Sequence, residues 1–316
     1  MTRHVVFGTG QIGRLVAEQL VGRGVDVVAV NRSGAGIIPG ARIVGGDATD
    51  PEFTRRVSAD ADVVYFCLNA TDYRRWAEQF PPLQNGVLAG AEAAGARLVV
   101  LENLYSYGPT RGADLVETMQ PHPSSKKSAT RAEMTAELLA AHRAGRVEVA
   151  IGRASDYFGP AVVQSALGAN VFAAAVAGKT AQVMGDPDQL HSYSYTPDVA
   201  AGLVTLGTAP GATGEIWHLP VDETRTSRQV IETVYGLAGT RPRVLAAGAT
   251  TLRLLGLFQP AMREYLHTLY QFTDRWVVDD GKFRSAFGDH ATPLDDALAA
   301  TVHSYRDAAA DVAVSR

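Results

Sequence analysis

The chain has 316 residues, 46% of them hydrophobic and 20% charged, enough for one large α/β domain with a smaller one appended and a substantial buried core. Against 33 Asp and Glu stand 29 Lys and Arg, a formal net charge of -4 with no basic cluster beyond a local pair, which excludes the basic surface that binding a phosphate backbone requires. One cysteine, Cys67, excludes an internal disulfide or thiolate metal cluster, and no apolar stretch nears the roughly 18 residues of a membrane span.

Met1-Thr2-Arg3 passes directly into a strand pattern with no signal-peptide signature, so the expected location is cytoplasmic. Strands are predicted over 4–7, 25–30, 42–44, 62–68, 97–101 and 147–151, alternating with helical patterns, the signature of parallel strands joined by helical crossovers. Between the first two, Ile12, Leu15, Val16, Gln19 and Leu20 fall near one helical face, and Gly22 and Gly24 supply the stop. Most of these strands are continuously apolar, so helices are expected on both sheet faces, with Cys67 a small core residue. Beyond residue 160, helices are predicted over 162–177, 227–238 and 251–272, and a strand over 215–219 returns to the sheet. The expected fold is α/β, a doubly wound parallel Rossmann sheet (1–160 and 190–220) with a smaller, discontinuous, mostly helical substrate domain (161–189 and 221–316).

Gly8-Thr9-Gly10-Gln11-Ile12-Gly13 follows the first strand and opens the first helix. In that setting Gly8 makes the tight turn, Gly10 lets backbone approach a pyrophosphate, and Gly13 lets the helix close on the sheet, the pattern of a dinucleotide site. At the end of the second strand, where an NAD site usually carries a carboxylate, the chain reads Asn31-Arg32-Ser33. Arg32 is suited to pair with a 2′-phosphate and stack on adenine, with Asn31 and Ser33 adding hydrogen bonds, so NADP(H) is the expected cofactor.

With these motifs the chain resembles the extended or atypical short-chain dehydrogenase/reductases, the superfamily of the NAD-dependent epimerase/dehydratases, over nearly its whole length. Gly46-Asp47-Ala48 resembles the segment whose carboxylate meets the adenine amino group, and Leu68-Asn69-Ala70 the strand end beside the cofactor ribose. Tyr107-Gly108-Pro109, the segment from Arg153 to Pro160 and Tyr195-Thr-Pro-Asp198-Val199-Ala200 are similar to later elements of that superfamily. The resemblance implies a nicotinamide and substrate pocket walled by Ser155, Asp156, Tyr157 and Tyr193, a mixed aromatic and polar surface for a medium-sized oxygenated or aromatic small molecule. Homodimers formed through two helices are common in that superfamily.

The departures fall at the catalytic positions. Asn103 stands at the usual Ser, and in the run Ser124-Ser125-Lys126-Lys127 through Arg131, Lys127 takes the place of Tyr and Arg131 that of Lys. A Lys-x-x-x-Arg here looks like the isoflavone reductase and phenylcoumaran benzylic ether reductase branch, where a lysine is the acid/base. A lysine desolvated beside Arg131 and a cationic nicotinamide would release its proton more readily, while also holding the cofactor. Tyr105 is the second candidate proton donor. Two helix starts are compatible with the segment: Ser124 or Ser125 as cap, which puts Lys127 and Arg131 on one face, or Thr130 with Glu133 as a capping box, which leaves Lys127 outside.

The eight histidines form no metal-ligand spacing, so no metal is expected, and no nucleophile elbow or P-loop occurs. His122 and His191 lie near the catalytic and substrate segments. The leading expectation is an NADPH-dependent oxidoreductase reducing a carbonyl, or a conjugated or quinoid group, of a small metabolite. The alternatives are a nucleotide-sugar epimerase/dehydratase, and a non-redox NADP-binding protein, isomerase or cyclase on the same fold.

Overall fold

A computed structural model describes residues 2–70, 72, 75–258 and 261–314. The first half runs β1 (Arg3–Phe7), α1 (Gln11–Gly22), β2 (Asp26–Asn31), β3 (Arg42–Gly45), α2 (Pro51–Ser58), β4 (Val63–Phe66), α3 (Trp76–Ala94), β5 (Arg97–Glu102), α4 (Lys126–Arg143) and β6 (Val149–Arg153). The second half adds β7 (Asp156–Phe158), α5 (Ala174–Val176), β8 (Ala181–Met184), β9 (Leu190–His191), β10 (Tyr193–Tyr195), α6 (Thr196–Thr208), β11 (Ile216–His218), β12 (Arg225–Thr226), α7 (Ser227–Ala238) and β13 (Val244–Ala247). It closes with α8 (Ala249–Phe258), α9 (Ala261–Leu266), α10 (Tyr270–Thr273), α11 (Gly281–Phe287) and α12 (Leu294–Val314).

Seven strands form one parallel sheet in the order β11-β6-β5-β4-β1-β2-β3. Strand order reverses beside β1: β2 and β3 build outward on one side, and the chain then crosses to β4 on the other. Loops at the carboxyl ends of β1 and β4 therefore diverge and leave a crevice, the usual ligand position in such sheets. Successive strand residues point to opposite faces. Val5, Phe7, Val28, Val30, Val64 and Phe66 thus pack with α3 and α4 on one side. Val6, Val27, Ala29, Val63 and Tyr65 pack with α1, α6 and Phe283 of α11 on the other. A separate core joins α7 and α12 to Phe158, Phe172 and Tyr193. Two-stranded pairings, β7 with β10, β8 with β13 and β9 with β12, frame that second core.

The strand predicted over 215–219 does join the sheet, as the edge strand β11 beside β6. The helix predicted over 162–177 does not form as one element. Its first residues follow Gly159-Pro160 and Ala161, which has φ 60°, and the helical part is a π-turn over Gly168–Ala173 running into the short α5. Ser165 Oγ accepts from Gly168 N–H at 2.8 Å and the Gly168 Cα packs against the Val163 carbonyl, so the coil is started locally and late. The helix predicted over 251–272 is divided into α8, α9 and α10; Gln259 and Pro260 lie outside the described residues. Among the described residues no helix is long and apolar enough to cross a membrane.

His218 ties the end of β11 to two neighbouring segments. Its Nδ1–H donates to the Asp279 carbonyl at 2.9 Å, which leaves Nε2 to accept from the Tyr107 hydroxyl at 2.9 Å. Burial lowers its pKa from the ordinary 6.5 to about 4, so the ring is neutral in the folded protein. Above pH 6.5 neither state carries the proton; below it the unfolded chain takes one up and the folded chain does not until about pH 4. This residue should therefore remove on the order of 3 kcal/mol of stability between those limits. Denaturation midpoints measured from pH 7 to pH 4 should fall steeply in the native protein and less steeply in His218→Asn.

Candidate active site

The turn from β1 into α1 is built on close approach. At Gly8, φ is +102°, and a Cβ there would lie 2.6 Å from the Cys67 carbonyl oxygen; one at Gly13 would lie 1.9 Å from the Gly8 carbonyl oxygen. Gly10 has no atom within 4 Å of where its Cβ would stand, so this side of the turn is open. Gly10 also caps α1 without a side-chain bond, so the first-turn N–H groups of Gln11, Ile12 and Gly13 have no side-chain cap, the arrangement in which a helix N-terminus receives an anion. Cys67 is only partly buried, packed against this turn, and burial pushes its thiol up to about 12.

Beyond β2 the loop is shaped by Asn31. Its Nδ2 donates to Thr9 Oγ1 at 3.0 Å and to the Ala35 carbonyl at 2.8 Å, and its Oδ1 accepts from Gly34 N–H and the Ser33 hydroxyl. Asn31 and Ser33 thus organise the turn and leave Arg32 as the exposed charged group. A cavity of about 310 Å³ opens there, lined by Arg32, Asp47, Ala48, Leu68, Asn69 and Ala70 among others. The N–H and hydroxyl of Thr49, both bonded to Asp47 Oδ1 at 2.9 and 2.8 Å, with Arg32 adding to them, hold the Asp47 carboxyl below the usual carboxylate range. Arg32, Asp47, Ala48 and the Leu68-Asn69-Ala70 segment meet in this cavity, while Phe7, Val30 and Thr49 join its lining without any motif that marks them in the sequence.

From Asn69 a continuous path leads toward α4. Asn69 Oδ1 accepts from Trp76 Nε1 at 3.1 Å, and the guanidinium of Arg131 lies 5.2 Å from the Trp76 ring and 4.5 Å from that of Phe80. Ser125 is the cap of α4: its hydroxyl accepts from Ser128 N–H while Ser128 Oγ accepts from Ser125 N–H. Of the two helix starts open in the sequence, the structure adopts this one, so Lys127 and Arg131 stand one turn apart on the buried face, 6% and 2% exposed.

Lys127 pairs across to the later part of the chain: its Nζ is 2.5 Å from Glu264 Oε2 of α9. The sequence contained no local signal for this pair, whose members are 137 residues apart. Arg131 shares Glu102 with Arg153: the carboxylate is 3.7 Å from Arg131 Nη1, 3.0 Å from Arg153 Nε, and accepts from the Thr135 hydroxyl at 2.8 and 2.9 Å. Burial lowers the Arg131 pKa and Glu102 opposes it; a guanidinium remains charged here. Two of its nitrogens, Nε and Nη1, are buried without a hydrogen-bond partner. These are donors suited to the hydroxyls of a bound nucleotide, and with the open face at Gly10 and the Asp47 acceptor they fit a dinucleotide lying along the crevice.

Asn103 Oδ1 accepts from Tyr105 N–H at 3.1 Å and so opens the 3-10 turn over Tyr105–Tyr107. Tyr105 is half-buried and within electrostatic reach of Arg131. On the far wall, Tyr157 is likewise near Arg131, and burial raises its hydroxyl well above the ordinary value. Ser155 donates its N–H to Ser194 Oγ at 3.0 Å and keeps a buried, unpartnered hydroxyl. Tyr193 points the other way: its hydroxyl bonds Ser227 at 2.7 Å inside the second core. Asp156 Oδ2 is 2.8 Å from His191 Nε2. Among the described residues no His, Cys, Asp and Glu group is arranged to hold a metal ion.

Residues 5–219 match the NAD dependent epimerase/dehydratase family, and the chain belongs to it. Its members are enzymes that depend on a nicotinamide dinucleotide. Comparison with curated proteins returns no match. Solved structures similar over nearly the whole chain include UDP-glucuronic acid 4-epimerase from Bacillus cereus in complex with UDP-glucuronic acid and NAD, at TM-score 0.81 and 15% identity over 97% of this chain and 100% of that one. UDP-glucose 4-epimerase from Thermotoga maritima with UDP-glucose matches at TM-score 0.80 and 17% identity over 98% and 100%. A dTDP-glucose 4,6-dehydratase from Streptomyces venezuelae with NAD bound matches at 0.77 and 22% over 97% of each chain. At these identities the likeness concerns the fold.

Removing the charge at Glu102 leaves two buried guanidinium groups without their counterion. Glu102→Gln should lower unfolding free energy by about 3–5 kcal/mol in urea or guanidinium denaturation.

Proposed function

We propose that the protein is an NADPH-dependent oxidoreductase that reduces a carbonyl, or a conjugated or quinoid group, of a small organic metabolite. The reading is supported by Lys127, which is buried with its Nζ 2.5 Å from the carboxylate of Glu264 and which by resemblance takes the place of the usual tyrosine. In the proposed reaction it serves as the proton donor. Reducing a carbonyl requires an acid at the oxygen, whereas oxidising a sugar hydroxyl requires a base there.

Gly8, Gly10 and Gly13 with the first-turn amides of α1 would receive the pyrophosphate, Asp47 the adenine amino group and Arg32 the 2′-phosphate. Arg131 would give its unpartnered Nε and Nη1 protons to the nicotinamide ribose. When bound, the nicotinamide supplies hydride to the carbonyl carbon. Lys127 Nζ transfers a proton to the oxygen, so that C=O becomes CH–OH. Glu264, with 27% of its side chain exposed against 7% for Lys127, connects that nitrogen to water for reprotonation.

The second reading, a nucleotide-sugar epimerase or dehydratase, is supported by membership of the family and by the sugar-nucleotide enzymes that share the fold. A keto-sugar intermediate detected on incubation with UDP- or dTDP-sugars would favour it. Tight NADPH binding with no oxidation across a wide panel of ketones, enones and quinones would favour the non-redox reading.

Calorimetry should give at least about tenfold tighter binding of NADPH than NADH, equivalent to about 1.4 kcal/mol. Arg32→Ala should abolish the difference, and an unchanged NADPH dissociation constant in that variant would overturn Arg32 as the phosphate ligand. Lys127→Met should reduce kcat on the best carbonyl substrate by about 10²- to 10⁴-fold while leaving NADPH affinity within a few-fold, and Glu264→Gln should lower kcat less. Normal turnover by Lys127→Met would remove lysine from the acid role.

A further inference from the structure

Residues 233–263 carry four arginines and neither a lysine nor an Asp or Glu, in a chain whose formal net charge is -4. Three of these arginines are exposed: Arg241 and Arg243 just before β13, and Arg253 in α8. Exposed Lys179 precedes the partner strand β8, at the end where Ala181 N–H donates to the Arg243 carbonyl at 2.8 Å. Of the large apolar side chains left exposed among the described residues, Leu245, Leu254, Leu257 and Phe258 all fall within the same stretch. Leu254, Leu257 and Phe258 stand at i, i+3 and i+4 and so share one face of α8, at 59%, 65% and 85% exposure, while Leu252 turns inward and is buried. A surface helix ordinarily turns such a stripe toward the core. Here it faces solvent, on a helix that follows β13 after Gly248 alone and packs on that strand, so that apolar and cationic groups belong to one surface.

We infer that α8 and the start of β13 form a docking face for the surface of an anionic lipid bilayer. Leu254, Leu257 and Phe258 enter the boundary between headgroups and acyl chains, and the arginines pair with lipid phosphates. Charge selects this occupant. A second copy related by a two-fold axis would set the face against itself, bringing its arginines together with no carboxylate from the segment to separate them. A bilayer supplies the missing negative charge and an apolar layer at once. Among the described residues no helix is long and apolar enough to cross a membrane, so the contact is with one surface of it. Docking of this kind is independent of the reductase reading.

The test is flotation of the full-length protein with vesicles of phosphatidylcholine alone and vesicles containing about one-third phosphatidylglycerol. The native protein should partition at least about tenfold more strongly to the anionic vesicles, and added salt should reduce the difference. Arg241→Gln combined with Arg243→Gln should remove most of this preference. Leu257→Ser combined with Phe258→Ser should weaken binding to the anionic vesicles about tenfold. All four positions are exposed, and unchanged thermal midpoints report that the variants are folded. Equal partition to both vesicles, partition to neither, or undiminished partition by the Leu257→Ser, Phe258→Ser variant overturns the inference. Sedimentation velocity without lipid reads the other occupant. A dimer that dissociates in that variant places a second copy on the face and likewise overturns the inference, whereas a sedimentation coefficient that the variant leaves unchanged supports the bilayer.

Discussion

Glu102 occupies the last position of β5, fully enclosed, with the guanidinium groups of Arg131 and Arg153 on either side. One carboxylate facing two buried cations cannot move without exposing an uncompensated charge to a low-dielectric interior. Thr135 completes its hydrogen bonds from the same helix that carries Arg131. The consequence is that α4 is tied to the carboxyl edge of the sheet at a fixed height. Lys127, one turn before Arg131, inherits its place from that tie. A cluster whose parts look structural thus determines where the Lys127 nitrogen stands.

The same edge of the sheet collects the residues that line the crevice for a reason of topology. Strand order reverses beside β1, so the loops after β1 and β4 part, and only glycine at 8 and 13 allows the backbone to close the floor of the gap. Arg32 and Asp47 then lie at one end of the crevice and Arg131 near the other, with Asn69 and Trp76 bridging the distance by a hydrogen bond and an aromatic contact. From the later part of the chain, α9 brings Glu264 against Lys127, and Phe272 and Tyr193 hold the His191 ring beside Asp156.

How much of this was legible depended on the range of the interaction concerned. The strands of the main sheet were readable because burial on both faces makes them continuously apolar, and α7 because Thr226 and Gly239 mark its two ends with a capping box and a left-handed residue. The segment 162–177 was misleading: its apolar spacing suits a helix, but the positive φ at Ala161 and the local Ser165 bond delay the coil until Gly168. The short strands β7 to β10 have too few residues to declare a period. Their pairings are made by partners more than 30 residues away in sequence.

What the sequence by itself determined was the class of fold and the glycine turn, since these rest on residue type and close spacing. It also named Asp156 and His191 separately, without joining them. Only the tertiary structure decided that Ser125 starts α4, that Lys127 faces a carboxylate, that Tyr193 spends its hydroxyl on Ser227, and that Asp156 is half committed to an imidazole. Each of those depends on an electrostatic or hydrogen-bond partner brought near by folding, and a charge reveals its state only when its neighbours are known.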